Sequence, residues 1–321
     1  MLAPDQDTTP RPSYLDLAER GLLQARAAAA HERLAKCALC PRNCGVDRLA
    51  GELGVCGVGA RALVAACAPH FGEEACLVGR ALRAHAGRGG SGTIFFGSCS
   101  LGCVFCQNWQ ISHEAEGDEV DTDVLADMMC GLQRLGCLNI NLVTPSHVVP
   151  QILAAVALAA AQGLRLPIVY NTSGYDAVET LHLLDGVVDI YMPDFKYWTA
   201  ESAARYLTAD DYPERARQAI AEMHRQVGDL RLDHDDVAFR GLLVRHLVMP
   251  GGYEESAAIF DWLAALSPST FVNVMAQYRP AGLSRSRPAD FPAISRPLFR
   301  DEFTSALARA ETAGLLRASS W

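Results

Sequence analysis

From Thr93 onward, apolar runs of strand length alternate with stretches whose apolar positions recur at helical spacing. The runs are Thr93–Gly97, Leu138–Thr144, Pro167–Asn171, Val187–Met192, Leu242–Met249 and Phe271–Gln277. Between them, helical spacing covers Asp121–Leu135, Val149–Gln162, Ala177–Leu184, Pro213–Val227 and Glu254–Leu266. Strands that are apolar throughout, rather than alternating, are strands buried on both faces, and helical crossovers impose parallel pairing. The pattern therefore predicts an α/β fold with a parallel sheet of six β/α units, a partial (β/α)6 barrel. An open doubly wound sheet is the other architecture that this periodicity admits. In barrels of this kind the chemistry gathers at the C-terminal ends of the strands.

Around this core the pattern changes. Residues Tyr14 to Ala35 read as a helix, Cys37 to Gly59 as a compact Cys- and Gly-rich segment, and Arg61 to Val78 as short apolar runs separated by turns. Gly87-Arg-Gly-Gly-Ser-Gly92 reads as a flexible joint; no Lys-Ser or Lys-Thr follows at the spacing of a phosphate-binding loop. From Ala289 the chain adds a loop and a last helix, Arg300–Ala313. The expected organisation is an N-terminal helix with a small Cys-rich knuckle (residues 1–90), the barrel (91–288) and a C-terminal extension (289–321).

With 321 residues, half of them hydrophobic, the chain has ample material for a large core. Its formal net charge of -9 repels a polyanion, which argues against nucleic acid as a partner. The leader MLAPDQDTTPRPS is acidic and polar where a signal peptide is basic and then apolar, and it reads as disordered. The most apolar stretch, Ile152–Leu164, is too short to span a bilayer. The expectation is a cytoplasmic protein with no membrane partner.

Eleven cysteines are present, and seven of them fall in two tight groups. A disulfide scaffold spreads its cysteines more evenly, so grouped thiols favour metal. The first group, Cys99-Ser-Leu-Gly-Cys103-Val-Phe-Cys106, is C-x3-C-x2-C directly after the first strand. Three thiolates there can hold three irons of a [4Fe–4S] cluster and leave the fourth iron open to chelate a small molecule with an amino and a carboxylate group. The plainer reading is zinc, with His113 as a fourth ligand. The second group, Cys37, Cys40, Cys44 and Cys56, is C-x2-C-x3-C-x11-C, with Gly45, Gly51, Gly54 and Gly57 permitting tight turns. It reads as a closed metal knuckle for zinc or a second Fe–S cluster; partly buried, unligated thiols are the alternative. Cys67, Cys76, Cys130 and Cys137 stand singly and read as small core residues. His70 with Glu73 and Glu74 reads as a solvated turn or as part of a pocket mouth.

The Cys triplet, with Phe105 before its last member, resembles the signature of the radical S-adenosylmethionine (SAM) superfamily. The wider text resembles the pyruvate formate-lyase-activating-enzyme-like, or PflX-like, branch, from about Cys37 to Arg279. The stretches that carry the likeness are CALCPRNCG, PHFGEE, GTIFFGSCSLGCVFCQNWQIS, NLVTPSHVVPQI, YNTSGYD, YMPDFKY and VRHLVMPGG. The resemblance implies a barrel of radical SAM type and an enzyme whose reduced cluster cleaves SAM to a 5′-deoxyadenosyl radical. That radical would take a hydrogen atom from a glycine of a partner protein or from a small molecule. A flavodoxin or ferredoxin would be the electron donor.

Site roles follow from the same resemblance, position by position. Asn171-Thr172-Ser173-Gly174 and Met192-Pro193-Asp194-Phe195-Lys196 match segments that flank SAM and a monovalent cation. This puts Lys196 near the SAM carboxylate and Thr172, Met192 and Asp194 around the cation, with Asn171 where an Asp is usual. Thr144-Pro145-Ser146-His147 stands in place of a Gly-Gly-Glu segment that contacts the SAM amino group. Thr144 and Ser146 would offer hydroxyls there, and His147 would be the catalytic, substrate-side proton carrier; its plain reading is a cap for the helix near Val148. Arg279 reads as meeting an acidic substrate group or as one side of a surface salt bridge, and Asn108 and Trp109 as shielding the cluster or, plainly, as packing and turn residues. The rival from another class is a non-catalytic metal-binding or electron-transfer iron–sulfur protein, with no SAM site and no task for Lys196.

Overall fold

The computed structural model describes residues 10–79, 89–315 and 317–319. The first nine residues of the polar leader, and Gly87 and Arg88 of the expected joint, lie outside the described residues. The strands are β1 (Ala62–His70), β2 (Ser91–Phe96), β3 (Asp118–Val120), β4 (Ile140–Val143), β5 (Ile168–Thr172), β6 (Ile190–Pro193), β7 (Arg231–Leu232), β8 (Ala238–Leu247), β9 (Phe271–Met275) and β10 (Arg317–Ser319). The six apolar runs are β2, β4, β5, β6, β8 and β9, and the five helical stretches between them are helices.

The sheet runs β10-β9-β8-β6-β5-β4-β2-β1-β3, with β7 paired to β8. Every pair from β2 to β10 along this path is parallel. Antiparallel pairing is confined to β1 with β2 and β3, and to β7 with β8. The parallel strands follow one another in chain order and never reverse. A doubly wound sheet has a switch point where the order turns back; this mixed, mostly parallel sheet has none, and its one-way growth is compatible with a partial barrel. It draws β1 from the segment assigned above to the N-terminal unit and β10 from the C-terminal extension.

Side chains alternate across the sheet. Tyr170, Tyr191, Leu242, Val244 and Val272 face the layer of helices. Val169, Ile190, Met192, Leu243 and Phe271 face the other way and enclose Cys76 and Leu77 from the short helix Ala75–Val78. That helix plugs the concave face. The helix Val149–Ala161 shows why the outer layer forms: Pro150 occupies its first turn, where no intrahelical N–H is needed, and ten of its residues are buried.

The segment from Tyr14 is two helices, Tyr14–Glu19 and Leu22–Glu32, because Gly21 takes a left-handed φ of 68° between them. They sit at the N-terminal ends of the strands: Ser13 N donates to Asp189 Oδ1 at 2.8 Å, and Asp189 Oδ2 accepts from Ile168 N at 3.0 Å. The opposite end of the sheet is thereby left for the site. Cys76, Cys130 and Cys137 are buried, whereas Cys67 is exposed on β1, beyond the residues that β3 pairs, contrary to its reading as a core residue. Among the described residues no helix is long and apolar enough to cross a membrane.

Leu77 is fully buried inside the curl of the sheet. Leu77→Ala is expected to cost about 2–5 kcal/mol, the range for a buried Leu cavity. A lowered urea midpoint at unchanged slope would show it; an unaltered midpoint would mean that the concave face is loosely packed.

Candidate active site

At the end of β2 the chain turns sharply: Ser98 has φ 67° and Gly102 φ 73°. This turn brings Cys99, Cys103 and Cys106 onto one wall of a cavity of about 310 Å³. Thr144 lies on the wall after β4, and Asn171 and Thr172 at the end of β5. Asp194 and Lys196 follow β6; Arg245 and Leu247 come from β8, and Met275 and Gln277 from β9. Six parallel strands thus deliver their C-terminal ends to one cavity, as the barrel argument anticipates.

The thiol wall is desolvated. Burial pushes the Cys103 thiol well up, partly countered by the Lys196 ammonium, and burial also raises Cys99. Leu101 N donates to Cys99 Sγ at 3.4 Å, and Ser112 Oγ donates to Cys106 Sγ at 3.1 Å. Such donors stabilise sulfur once it is anionic. Among the described residues no three His, Cys, Asp or Glu converge as ligands of a single ion. Thiolates that bind different irons of one cluster do not need to converge on one point.

The opposite wall is a charged network. Lys196 Nζ donates to Asp194 Oδ2 at 2.6 Å, and Arg245 Nε donates to Asp194 Oδ1 at 2.8 Å. Arg245 Nη2 donates to Asn171 Oδ1 at 2.7 Å, and its Nη1 lies 4.0 Å from Glu73 Oε2. Burial alone would raise Asp194, but Arg245 and Lys196 outweigh it and hold the carboxyl below its usual range. Burial likewise works against the charge on Lys196, yet Asp194 keeps that ammonium above its ordinary value. All three groups are therefore charged near neutral pH.

Gly174 lets this network form. It has φ 79°, and a Cβ there would lie 2.3 Å from the Asp194 carbonyl oxygen. Thr144 also has a left-handed φ, 61°. For a β-branched residue that is a strained backbone, and such strain gathers at functional sites.

The other expected positions divide. Thr172 lines the cavity, but its hydroxyl donates to Asp176 Oδ2 at 2.6 Å and meets Ser146 Oγ at 3.0 Å. Ser146 is buried in that network, with Asp176 also accepting from Tyr170, and is not a cavity residue. Met192 faces the concave core. Both Asp194 oxygens are held by fixed cations, so the anionic charge expected to retain a monovalent cation is already neutralised.

His147 does not join the cavity. It is 1% exposed, and its Nε2 donates to the Gly97 carbonyl at 3.0 Å. Burial lowers its pKa to about 4, so it stays neutral. It does not cap the following helix either, whose N-cap is Val148. A substrate-side proton carrier is therefore not found at this position. Arg279 is exposed and not part of the cavity wall. Asn108 lines the cavity, while Trp109 stacks on His113 at 3.7 Å. His113 does not line the cavity with the three thiols and is not grouped with them as a fourth ligand.

Arg245 was not named from the sequence, although its signal was present: a guanidinium inside the run LLVRHLVM, apolar but for the neighbouring His246, demands a buried partner. Of the two readings given for Glu73 and Glu74, the solvated turn does not hold. Glu74 is 5% exposed and accepts from Asn273 Nδ2 at 2.9 Å, which tucks the pair beneath Arg245.

The second Cys group forms its own site. Cys37, Cys40, Cys44 and Cys56 line one cavity together with Arg42 and Arg48. Gly54 makes room for it, since a Cβ there would lie 2.8 Å from Cys44 Sγ.

No protein-family model matches the chain. The chain is similar to an uncharacterized protein of Methanocaldococcus jannaschii, with 29% identity over 304 residues, 92% of this chain and 80% of that protein.

Removing Arg245 leaves Asp194 buried with one cation fewer. Arg245→Met is expected to destabilise the fold by about 3–5 kcal/mol, and the double variant Arg245→Met/Asp194→Asn by less than the sum of its singles. A double-mutant cycle in urea measures this; strict additivity would mean that the pair is not coupled.

Proposed function

We propose that the chain is a radical SAM enzyme of the partial-barrel type, with Cys99, Cys103 and Cys106 as the ligands of a [4Fe–4S] cluster. One observation carries the reading: three thiols, and not four, close one wall of a cavity whose facing wall is the Lys196–Asp194–Arg245 network. The residues fit the cluster chemically. The donor set is all sulfur, amide and hydroxyl donors face two of the sulfurs, and Cys103 is buried while Cys99 and Cys106 are partly so.

When bound with one iron open, such a cluster supplies an electron that cleaves the SAM sulfonium C–S bond to methionine and a 5′-deoxyadenosyl radical. The chain's own residues do the rest. Lys196 has three N–H donors, of which Asp194 takes one, so it can still grip a carboxylate such as that of SAM. Asp194 fixes the direction of that ammonium, and Arg245 fixes Asp194. Asp194 takes only part of the donor capacity of the two cations, and the N–H groups that remain suit a ligand bearing a carboxylate. Thr144 and Thr172 line the same space with Asn171. The hydrogen donor is a glycine of a partner protein or a small molecule, and a glycyl doublet in electron spin resonance with a partner would identify the first.

After anaerobic reconstitution with iron and sulfide, dithionite and SAM are expected to yield 5′-deoxyadenosine. Cys103→Ala should give none, and Lys196→Gln should weaken SAM binding by about 10- to 100-fold, the value of a charge-assisted hydrogen bond. Absence of product from the loaded wild type would overturn the proposal in favour of a non-catalytic metal protein.

Because Asp194 is already paired, exchanging potassium for sodium should leave the rate of SAM cleavage unchanged. A dependence of several-fold would show that a cation enters despite Arg245.

A further inference from the structure

We infer that the four-cysteine cavity holds a second iron–sulfur cluster, joined to the first site through the Cys99–Cys103 loop, rather than a structural zinc. Three observations carry this.

The lining comes first. All four thiols line one cavity, with His147 at its wall, and no carboxylate lines it with them. Val55 N donates to Cys44 Sγ at 3.4 Å. The site is thus closed by sulfur, with a backbone donor already turned toward it.

The second is a buried cation without an anion. Arg48 is 1% exposed, and it donates to the Gly59 carbonyl at 3.0 and 2.7 Å and to the His147 carbonyl at 2.8 Å. Its Nη1 also lies 3.9 Å from Cys37 Sγ. Among the described residues no carboxylate pairs with it. Carbonyl dipoles alone compensate a desolvated guanidinium poorly. A metal group ligated by four thiolates carries net negative charge and supplies the missing counter-charge.

The third is position, and it decides between metals. Arg42, between Cys40 and Cys44, donates to Ser100 O at 2.8 Å, to Leu101 O at 3.0 Å and to Thr208 O at 2.7 Å. Ser100 and Leu101 lie between Cys99 and Cys103, so Arg42 ties the knuckle to the backbone of the other cysteine loop. A structural zinc needs no contact with another sulfur site to staple its knuckle; a redox-active group needs one to pass an electron on. On the far side Cys44 and Cys56 are partly exposed. One electron enters there from a one-electron donor protein and one leaves toward the pocket site, with no atom or proton transferred. That destination rests on the function proposed above; the identity of the bound group does not.

Metal and sulfide analysis of the anaerobically reconstituted full-length wild type tests the inference. About eight irons and eight sulfides per chain are expected for two cubanes, against about four of each plus one zinc on the zinc reading. A Cys99→Ala/Cys103→Ala/Cys106→Ala variant should keep about four irons and a reduced-cluster spin resonance signal. Further substitution of Cys40 and Cys56 by Ala should abolish both. The doubly reduced wild type should show spin–spin broadening that the triple variant lacks. One zinc without extra sulfide overturns the cluster, and two non-interacting signals overturn the relay. A triple variant that retains its cluster beside a wild type inert toward SAM would sink the proposed function while leaving this inference standing.

Discussion

Everything at the C-terminal end of the sheet depends on one neutralisation: Asp194, held from both sides by Lys196 and Arg245. An unpaired carboxylate at that depth would cost several kcal/mol, and so would either cation alone. Together the three satisfy one another and tie the ends of β5, β6 and β8 into a rigid floor, with Asn171 as the fourth corner. The backbone reinforces the clamp, since Phe195 N donates to Arg245 O at 2.8 Å and Asp194 N to Thr172 O at 2.9 Å. A floor fixed in this way lets Lys196 present its remaining donors in a set direction, which the proposed chemistry requires.

The sheet supplies the rest of the geometry. Strands added in chain order carry their C-terminal ends around a curve, and the helix Ala75–Val78 fills the space that curvature opens. The same segment lays Glu73 and Glu74 beneath Arg245 and Asn273. The plug is therefore both a packing element and part of the electrostatic support of the site.

Much of this was legible from residues alone, and what was not has physical reasons. Continuous apolar runs located six strands because burial on both faces leaves no room for polar alternation. β1 escaped because ALVAACAPH is a strand of mostly small residues, half of it exposed and containing a proline, so neither periodicity nor apolar density marks it. The Cys spacings placed both sulfur groups correctly on loops. Asn171, Thr172, Asp194 and Lys196 converge at one cavity as their positions after strands imply. Ser146 and His147 do not, because the left-handed turn at Thr144 sends the following residues behind the strand ends. Sequence gives a residue's distance from a strand end but not the sign of φ at the turn. Arg245 was missed because its partners lie 51 and 74 positions away along the chain.

Asn171 is the quiet member of the floor. It bears no charge, yet it occupies a corner of Arg245 that an aspartate would otherwise neutralise. An amide there accepts the hydrogen bond without adding a further negative charge to a guanidinium already paired with Asp194 and close to Glu73. The electrical bias of the whole cavity is thus tuned at a position that contributes no ionisable group, and a one-atom change from amide nitrogen to oxygen would shift it without moving a side chain.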